Sequence, residues 1–360
     1  MAGSELIAPR TTLPSPMSVF QKLPKVVLHD HLDGGLRPRS VLDLAAEVGY
    51  EGLPALDEDA VAGWFHQGGS DSLESYLDAF AHTAGVMQTP AAMKRVAFEA
   101  IADHAAEGVV YAELRFAPSL HTRHGMTRGD AVSAVLDGLA DGYAEFGVPS
   151  GLIVDALRQY DDSEEVARVA AEFAGRGVVA FDLAGPERGH PASAHAAACA
   201  IAVDAGLHLT IHAGEGDGVG SIADALDVGA ERIGHGVRII EDTSASGGRL
   251  TSLGPVATSV LERGLTLEVC PTSNLHTGMY PSPGAHPFGM LYRAGFAVTL
   301  NTDNRLMSGV SMTDEFALVA EHQGLGVADL KRITLNAVEA AFCNDDVKAA
   351  VLDRVLAGYA

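Results

Sequence analysis

Two kinds of segment alternate along the chain. Short runs of apolar, β-branched and aromatic residues recur near positions 26, 110, 153, 179, 209, 232, 267 and 298. Between them, apolar residues return at three- and four-residue spacing, the helical period. That spacing predicts helices over 40–49, 89–108, 127–145, 163–175, 190–206, 222–229, 255–264 and 287–295, with a helical tail over 313–359. Ser40 is a natural N-cap and Gly49 a stop for the first of them. Strict alternation of strand and helix implies parallel strands joined by crossover helices. Eight such strands are the number that closes a (β/α)8 TIM barrel. The alternative is an open doubly wound sheet. No G-x-G-x-x-G follows the first strand, and polar residues gather after many strands and not at one switch point.

One stretch breaks the rhythm. Residues 51–90 carry Leu53, Leu56, Val61, Trp64, Phe65, Leu73, Tyr76, Leu77 and Phe80 at roughly helical spacing. They are expected to form a helical, lid-like insertion after the first strand. Residues 1–22 hold prolines and turn formers among small residues, which predicts a loose N-terminal arm. A single domain over 23–360 then ends in C-terminal helices.

Composition narrows the function classes. Across 360 residues, 47 Asp and Glu outnumber 24 Lys and Arg, for a net charge of −23. Phosphate backbones and anionic membranes need clustered cations, so neither nucleic acid nor a membrane is an expected partner. The three cysteines, Cys199, Cys270 and Cys343, are widely spaced with no C-x-x-C, which argues against a disulfide scaffold and a cysteine-rich zinc site. Neither a signal-peptide pattern nor a long apolar span is evident, so a cytoplasmic location is expected.

The chemistry collects at the strand ends, where a barrel of this kind carries its active site. The first strand runs into His29 and His31, two apart and therefore on one face. Later strand ends bring Glu113 and Arg115, Asp182 and Gly185, His212 and Glu215, His235, then the run from Glu268 to Asn274, then Asp303. Three histidines and one carboxylate with an open water position suit zinc. His29, His31, His212 and Asp303 are the expected ligands. Glu215, three residues beyond His212, is placed to shuttle protons. His235 is free to hold or deprotonate a water that zinc brings to a pKa of about 7. Strand four ends without a lysine that could be carboxylated to bridge two ions, so one Zn2+ per chain is expected.

Seven stretches, in order, resemble the adenosine deaminase family: HDHLDGGLRP (29–38), ELRFAPSLH (113–121), FDLAGPE (181–187), IHAGE (211–215), RIGHG (232–236), LEVCPTSN (267–274) and LNTDN (300–304). The resemblance implies a zinc-dependent amidohydrolase barrel that converts adenosine and 2′-deoxyadenosine to the inosines plus ammonia. It implies that Glu215 protonates ring N1, that His235 orients the hydroxide and stabilises developing charge, and that Asp303 also accepts from the attacking water. His31, Asp33, Gly185 and Asn304 would meet the substrate, with Gly185 N–H on ring N3 and Asp33 on the ribose 5′-hydroxyl. Asn304 departs from the family, which commonly has a second aspartate facing purine N7. An Asp donates to N7 only when protonated, whereas the Asn amide donates at any pH. The departure leaves open another 6-aminopurine substrate, adenine or a modified nucleoside. The other zinc deaminase class, with H-x-E and P-C-x-x-C, shows neither pattern here. The sequence leaves the oligomeric state open.

Overall fold

Val109–Phe116 shows how the strands are written: Tyr111, Glu113 and Arg115 alternate with Ala112, Leu114 and Phe116. A strand's period of two sends the first set to one face and the second to the other. In the computed structural model, which describes residues 16–68 and 79–360, the apolar set packs outward into the main hydrophobic cluster. The polar set points inward. The strands are β1 (Lys25–His31), β2 (Val109–Phe116), β3 (Ser150–Leu157), β4 (Val178–Ala184), β5 (His208–Ala213), β6 (Arg232–His235), β7 (Thr243–Ser246), β8 (Arg249–Leu253), β9 (Thr266–Val269) and β10 (Val298–Leu300). Eight of them form one parallel sheet in the order β1-β2-β3-β4-β5-β6-β9-β10. These are the eight runs expected from the sequence, and the fold is the (β/α)8 barrel.

Residues of the site close the ring. Beyond β10, Asp303 bridges to Asp30 in parallel register. The Asp303 N–H donates to the His29 carbonyl at 3.0 Å, and the His31 N–H donates to the Asp303 carbonyl at 2.7 Å. Asn301 Oδ1 accepts from the Leu28 N–H at 2.8 Å.

Side-chain capping sets several helix starts. Thr89 accepts from Ala92 N–H at the start of Pro90–Ala106. Thr127 and Asp130 form a capping box for Arg128–Phe146, and Gly147 ends it in the left-handed region. The helix expected over 190–206 instead begins as a 3-10 turn, Ala192–His195, before Ala196–Asp204. His195 is drawn off the helical path because its ring bonds to Ser163 Oγ and the Arg158 carbonyl. The tail is three helices, Met312–Gln323, Val327–Ala340 and Asp345–Gly358.

The sequence pattern did not foresee two features. Strands β7 and β8 form an exposed antiparallel hairpin. Gly247 and Gly248 both take positive φ between its strands, as a tight two-residue hairpin turn requires. Pro16–Lys22 is helical where a loose arm was expected. Lys25 Nζ organises its end by donating to the carbonyls of Phe20, Gln21 and Leu23. Residues 1–15 of that arm lie outside the described residues, as do Leu73, Tyr76 and Leu77 of the insertion. The described parts of the insertion include helices Glu58–Phe65 and Phe80–Val86. Among the described residues no helix is long and apolar enough to cross a membrane.

Candidate metal centre and its pocket

Four side chains from three places in the barrel meet at its rim. His29 Nε2 lies 3.4 Å from Asp303 Oδ1, His31 Nε2 lies 3.5 Å from the same oxygen, and His31 Nε2 lies 3.3 Å from His212 Nε2. Four donors held tetrahedrally by zinc at its usual bond lengths stand about 3.4 Å apart. His29 Nε2 is buried and has no hydrogen-bond partner. The ring nitrogens of His29, His31 and His212 lie within 4.8 Å of one another, and Asp303 Oδ1 stands beside two of them; with an orphaned nitrogen among them, these groups fit a divalent cation. The convergence includes all four residues expected as ligands.

Each histidine is backed by a carboxylate at its other nitrogen. Glu268 Oε2 lies 2.9 Å from His29 Nδ1, Asp182 Oδ2 lies 2.8 Å from His212 Nδ1, and Asp155 Oδ2 lies 3.4 Å from His31 Nδ1. Such partners fix the tautomer and aim the lone pair of Nε2. Burial opposes charge on His31, yet Asp155, Asp303 and Asp33 outweigh it and push its pKa up to about 9. The cluster of carboxylates therefore calls for positive charge at this point, which a divalent cation supplies.

The backing carboxylates are themselves held by buried arginines. Arg115 donates to Asp182 at 2.7 Å, to Glu268 at 2.7 Å and to the Leu28 carbonyl at 2.6 Å. Arg232 reaches Glu268 and Glu113, each at 2.6 Å. Burial would raise the pKa of Glu268, but Arg115 and Arg232 hold it well below the usual carboxylate range. Burial likewise opposes ionisation of Asp182, and His212 and Arg115 override it. The barrel interior is thus an ionic network from its floor to the site.

Glu215 follows β5, and its Oε2 lies 3.5 Å from His235 Nε2. The turn that carries Glu215 is pinned by Glu187, whose carboxylate accepts from the N–H groups of Gly214, Glu215 and Gly216, each at 2.8 Å. Replacing Glu187 by alanine strands these donors. Expected outcomes are a loss of about 1–3 kcal/mol for the buried donors, read by denaturant unfolding, and a larger fall in kcat than change in KM. Two backbone conformations complete the rim. Among the described residues, His235 (φ 58°) and Asp303 (φ 57°) are the non-glycine residues with positive φ, a conformation that costs about 1–2 kcal/mol for an L-residue. Both sit where a strand ends and the side chain must turn into the site. Ser273 Oγ donates to Asp303 Oδ2 at 2.6 Å, and Asn274 meets His235. Both come from the short helix Pro271–His276 that follows β9.

The converging donors floor a pocket of about 250 Å³, room for one small molecule. Phe80 and Ala84 of the insertion wall one side and Leu157 and Gly185 another. Gly185 takes φ 86°, and a Cβ there would crowd Gln159. Asp33 and Asn304 also line the pocket. Asn304 lies flat against Gly34, where a Cβ would collide with its carboxamide. Every residue expected at the site thus borders this one cavity or its floor. A buried acid, a neutral histidine and a metal-binding set around a small apolar slot can do hydrolytic chemistry on a flat ring.

The adenosine deaminase family model matches residues 24–358. This chain belongs to the adenosine deaminase family. It is 48% identical over 345 residues to the adenosine deaminase of Mycobacteroides abscessus, covering 94% of this chain and 95% of that one. Its structure is similar to the adenine deaminase of Arthrobacter aurescens, with TM-score 0.83, 29% identity, and coverage of 93% and 98%. It is also similar to an amidohydrolase from Burkhoderia ambifaria with bound Zn, with TM-score 0.84, 25% identity, and coverage of 98% and 95%. As a member of this family the protein is a deaminase, a hydrolase of the amidohydrolase type.

Several residues of this adenosine deaminase family site carried no assigned role in the sequence. Asp155 is one. It interrupts the apolar run of β3, and a carboxylate inside a fully buried strand was the available signal. Asp182, Glu268, Ser273 and Asn274 lay in recognised stretches, but their partners come from other strands. Glu187 ends the recognised stretch at 181–187, but the backbone donors it gathers lie 27–29 residues further on.

Proposed function

We propose that the protein catalyses the hydrolytic deamination of adenosine and 2′-deoxyadenosine to inosine and 2′-deoxyinosine, releasing ammonia, with one zinc ion per chain. The observation that carries this reading is the meeting of His29, His31, His212 and Asp303 donors within 3.3–3.5 Å contacts beside Glu215. The identity to relatives named adenosine deaminase supports it. His29, His31, His212 and Asp303 hold the zinc, which when bound makes hydroxide available at neutral pH.

The chain's own residues do the rest. Glu215 delivers a proton to ring N1, which drains electrons from C6 and opens it to the oxygen of water. Asp303 accepts from that water, and His235 holds its oxygen and steadies the growing charge. Asp303 passes the proton it took from the water to the exocyclic amine, the C6–N bond breaks and ammonia leaves, and the hydroxyl proton on C6 returns to Glu215. His31 lies against the reacting edge of the base. Gly185 N–H meets ring N3, and the Asn304 amide donates to N7. Asp33 holds the ribose 5′-hydroxyl, and its negative charge opposes a 5′-phosphate in the same place. Phe80 and Ala84, from the described part of the insertion, wall the pocket beside the base.

A second reading, deamination of adenine or a modified adenine nucleoside, draws on Asn304 and on the structural likeness to an adenine deaminase. One assay separates them. Adenosine, 2′-deoxyadenosine, adenine and AMP are each followed by the absorbance change of purine deamination, beside metal analysis. The two nucleosides are expected to turn over fastest, with about one zinc per chain, and a chelator should abolish activity until zinc returns. Preference for adenine or AMP, or activity in protein freed of metal, overturns the reading.

A further inference from the structure

His235 meets the pocket through Nε2. A neutral imidazole there either donates or accepts, and the two do opposite work on a water molecule. A donor steadies a negative oxygen; an acceptor takes a proton away. The choice is made at the other nitrogen, Nδ1.

A chain of contacts makes that choice. The Phe288 backbone N–H donates to His286 Nδ1 at 3.1 Å. A backbone N–H can only donate, so His286 Nδ1 carries no proton and the ring's one proton sits on Nε2. His286 Nε2 lies 3.3 Å from Asn274 Oδ1, and that proton can only point there. The amide orientation of Asn274 is thereby fixed, with Nδ2 turned to His235 Nδ1 at 3.0 Å. An amide nitrogen donates, so His235 Nδ1 must accept. The proton of His235 is left on Nε2, facing the site.

The surroundings protect the chain. His286, Asn274 and His235 are all buried. Burial pushes the His286 pKa down to about 3, so the ring stays neutral. The Tyr280 ring packs edge-on against it, with centroids 4.8 Å apart.

We propose that Asn274 and His286 are positioning residues that lock His235 in its Nε2–H tautomer, so that it meets the reacting water as a hydrogen-bond donor and not as a base. The water's proton then goes to Asp303. The role of the water rests on the function proposed above, whereas the tautomer does not, and the two can fail separately.

The first experiment is 15N NMR of histidine-labelled protein, with the His235 signals assigned from a His235→Ala spectrum. The expected result is a protonated Nε2 and an unprotonated Nδ1. A proton on Nδ1 overturns the proposal whether or not the protein deaminates purines.

Kinetics supply the second. In Asn274→Asp the carboxylate accepts from His286 and from His235 together, so both stay partnered and the His235 proton moves to Nδ1. Placing the wrong tautomer in a catalytic triad costs about 10⁴-fold in kcat, and a loss of about 10²–10⁴-fold is expected here, with KM and zinc content little changed. His286→Gln keeps a donor toward Asn274 and should retain most activity. His286→Leu leaves Asn274 Oδ1 unpaired, frees the amide to flip, and should lose about tenfold or more in kcat. Near-normal kcat in Asn274→Asp, or equal losses in His286→Gln and His286→Leu, overturns the proposal.

Discussion

Glu215→Gln is expected to lower kcat by about 10²–10⁴-fold, the usual worth of a positioned general acid. KM should change little. The reason lies in what the substitution preserves. Gln fills the same volume and still donates a hydrogen bond, so a purine is held at the same depth. It cannot give up a proton at neutral pH, and ring N1 is left without one. Glu215 also sits on a turn whose three amides are gathered by Glu187, so the side chain enters from a fixed backbone and the effect should not be diluted by a moving loop. Single-turnover kinetics beside equilibrium binding of a non-reacting purine nucleoside checks both halves. Turnover near that of the unaltered protein removes Glu215 from the role of proton donor; loss of binding with kcat kept makes it a binding residue instead.

Arg115→Met is expected to cost about 3–5 kcal/mol of stability, the range for breaking a buried ion pair from one side. Arg115 is fully buried and holds Asp182 and Glu268. Methionine fills similar space but leaves those carboxylates with less positive charge against them. They respond by rising in pKa, and the partners of His212 and His29 are lost as acceptors. Zinc affinity should therefore fall by about 10–100-fold, as it does when such backing groups are removed. Denaturant unfolding measures the first effect and competition with a chromophoric chelator the second. A stability change inside the range of surface substitutions, about 0.5 kcal/mol, contradicts the account of the ionic interior.

The two predictions draw on different levels of information. Glu215 is legible in the chain itself, because it follows a strand-ending histidine at close spacing. Arg115 was also visible as a strand-end residue, yet its partners were not. Asp182 is 67 positions away and Glu268 is 153, and no local pattern links them. The same holds for Asp155, which lies on the strand whose end drew no functional residue from the sequence. The β7–β8 hairpin is a third instance. Its Gly-Gly turn was present in the sequence, but short exposed strands have no apolar face to betray them.

The sequence alone determined the number of barrel strands, their parallel course and the rim at which polar side chains collect. These follow from local periodicity: alternation of strand and helix leaves few ways to bury the apolar faces. It also carried the family resemblance and the choice of His29, His31, His212 and Asp303. What only tertiary structure decided is how those groups are aimed. Closing the barrel sets Asp303 against His29 and His31, brings a carboxylate behind each histidine, and runs a hydrogen-bond chain from Phe288 to His235. The physical reason is that a donor's direction depends on partners supplied by other strands and helices, and those meet only when the ring is complete.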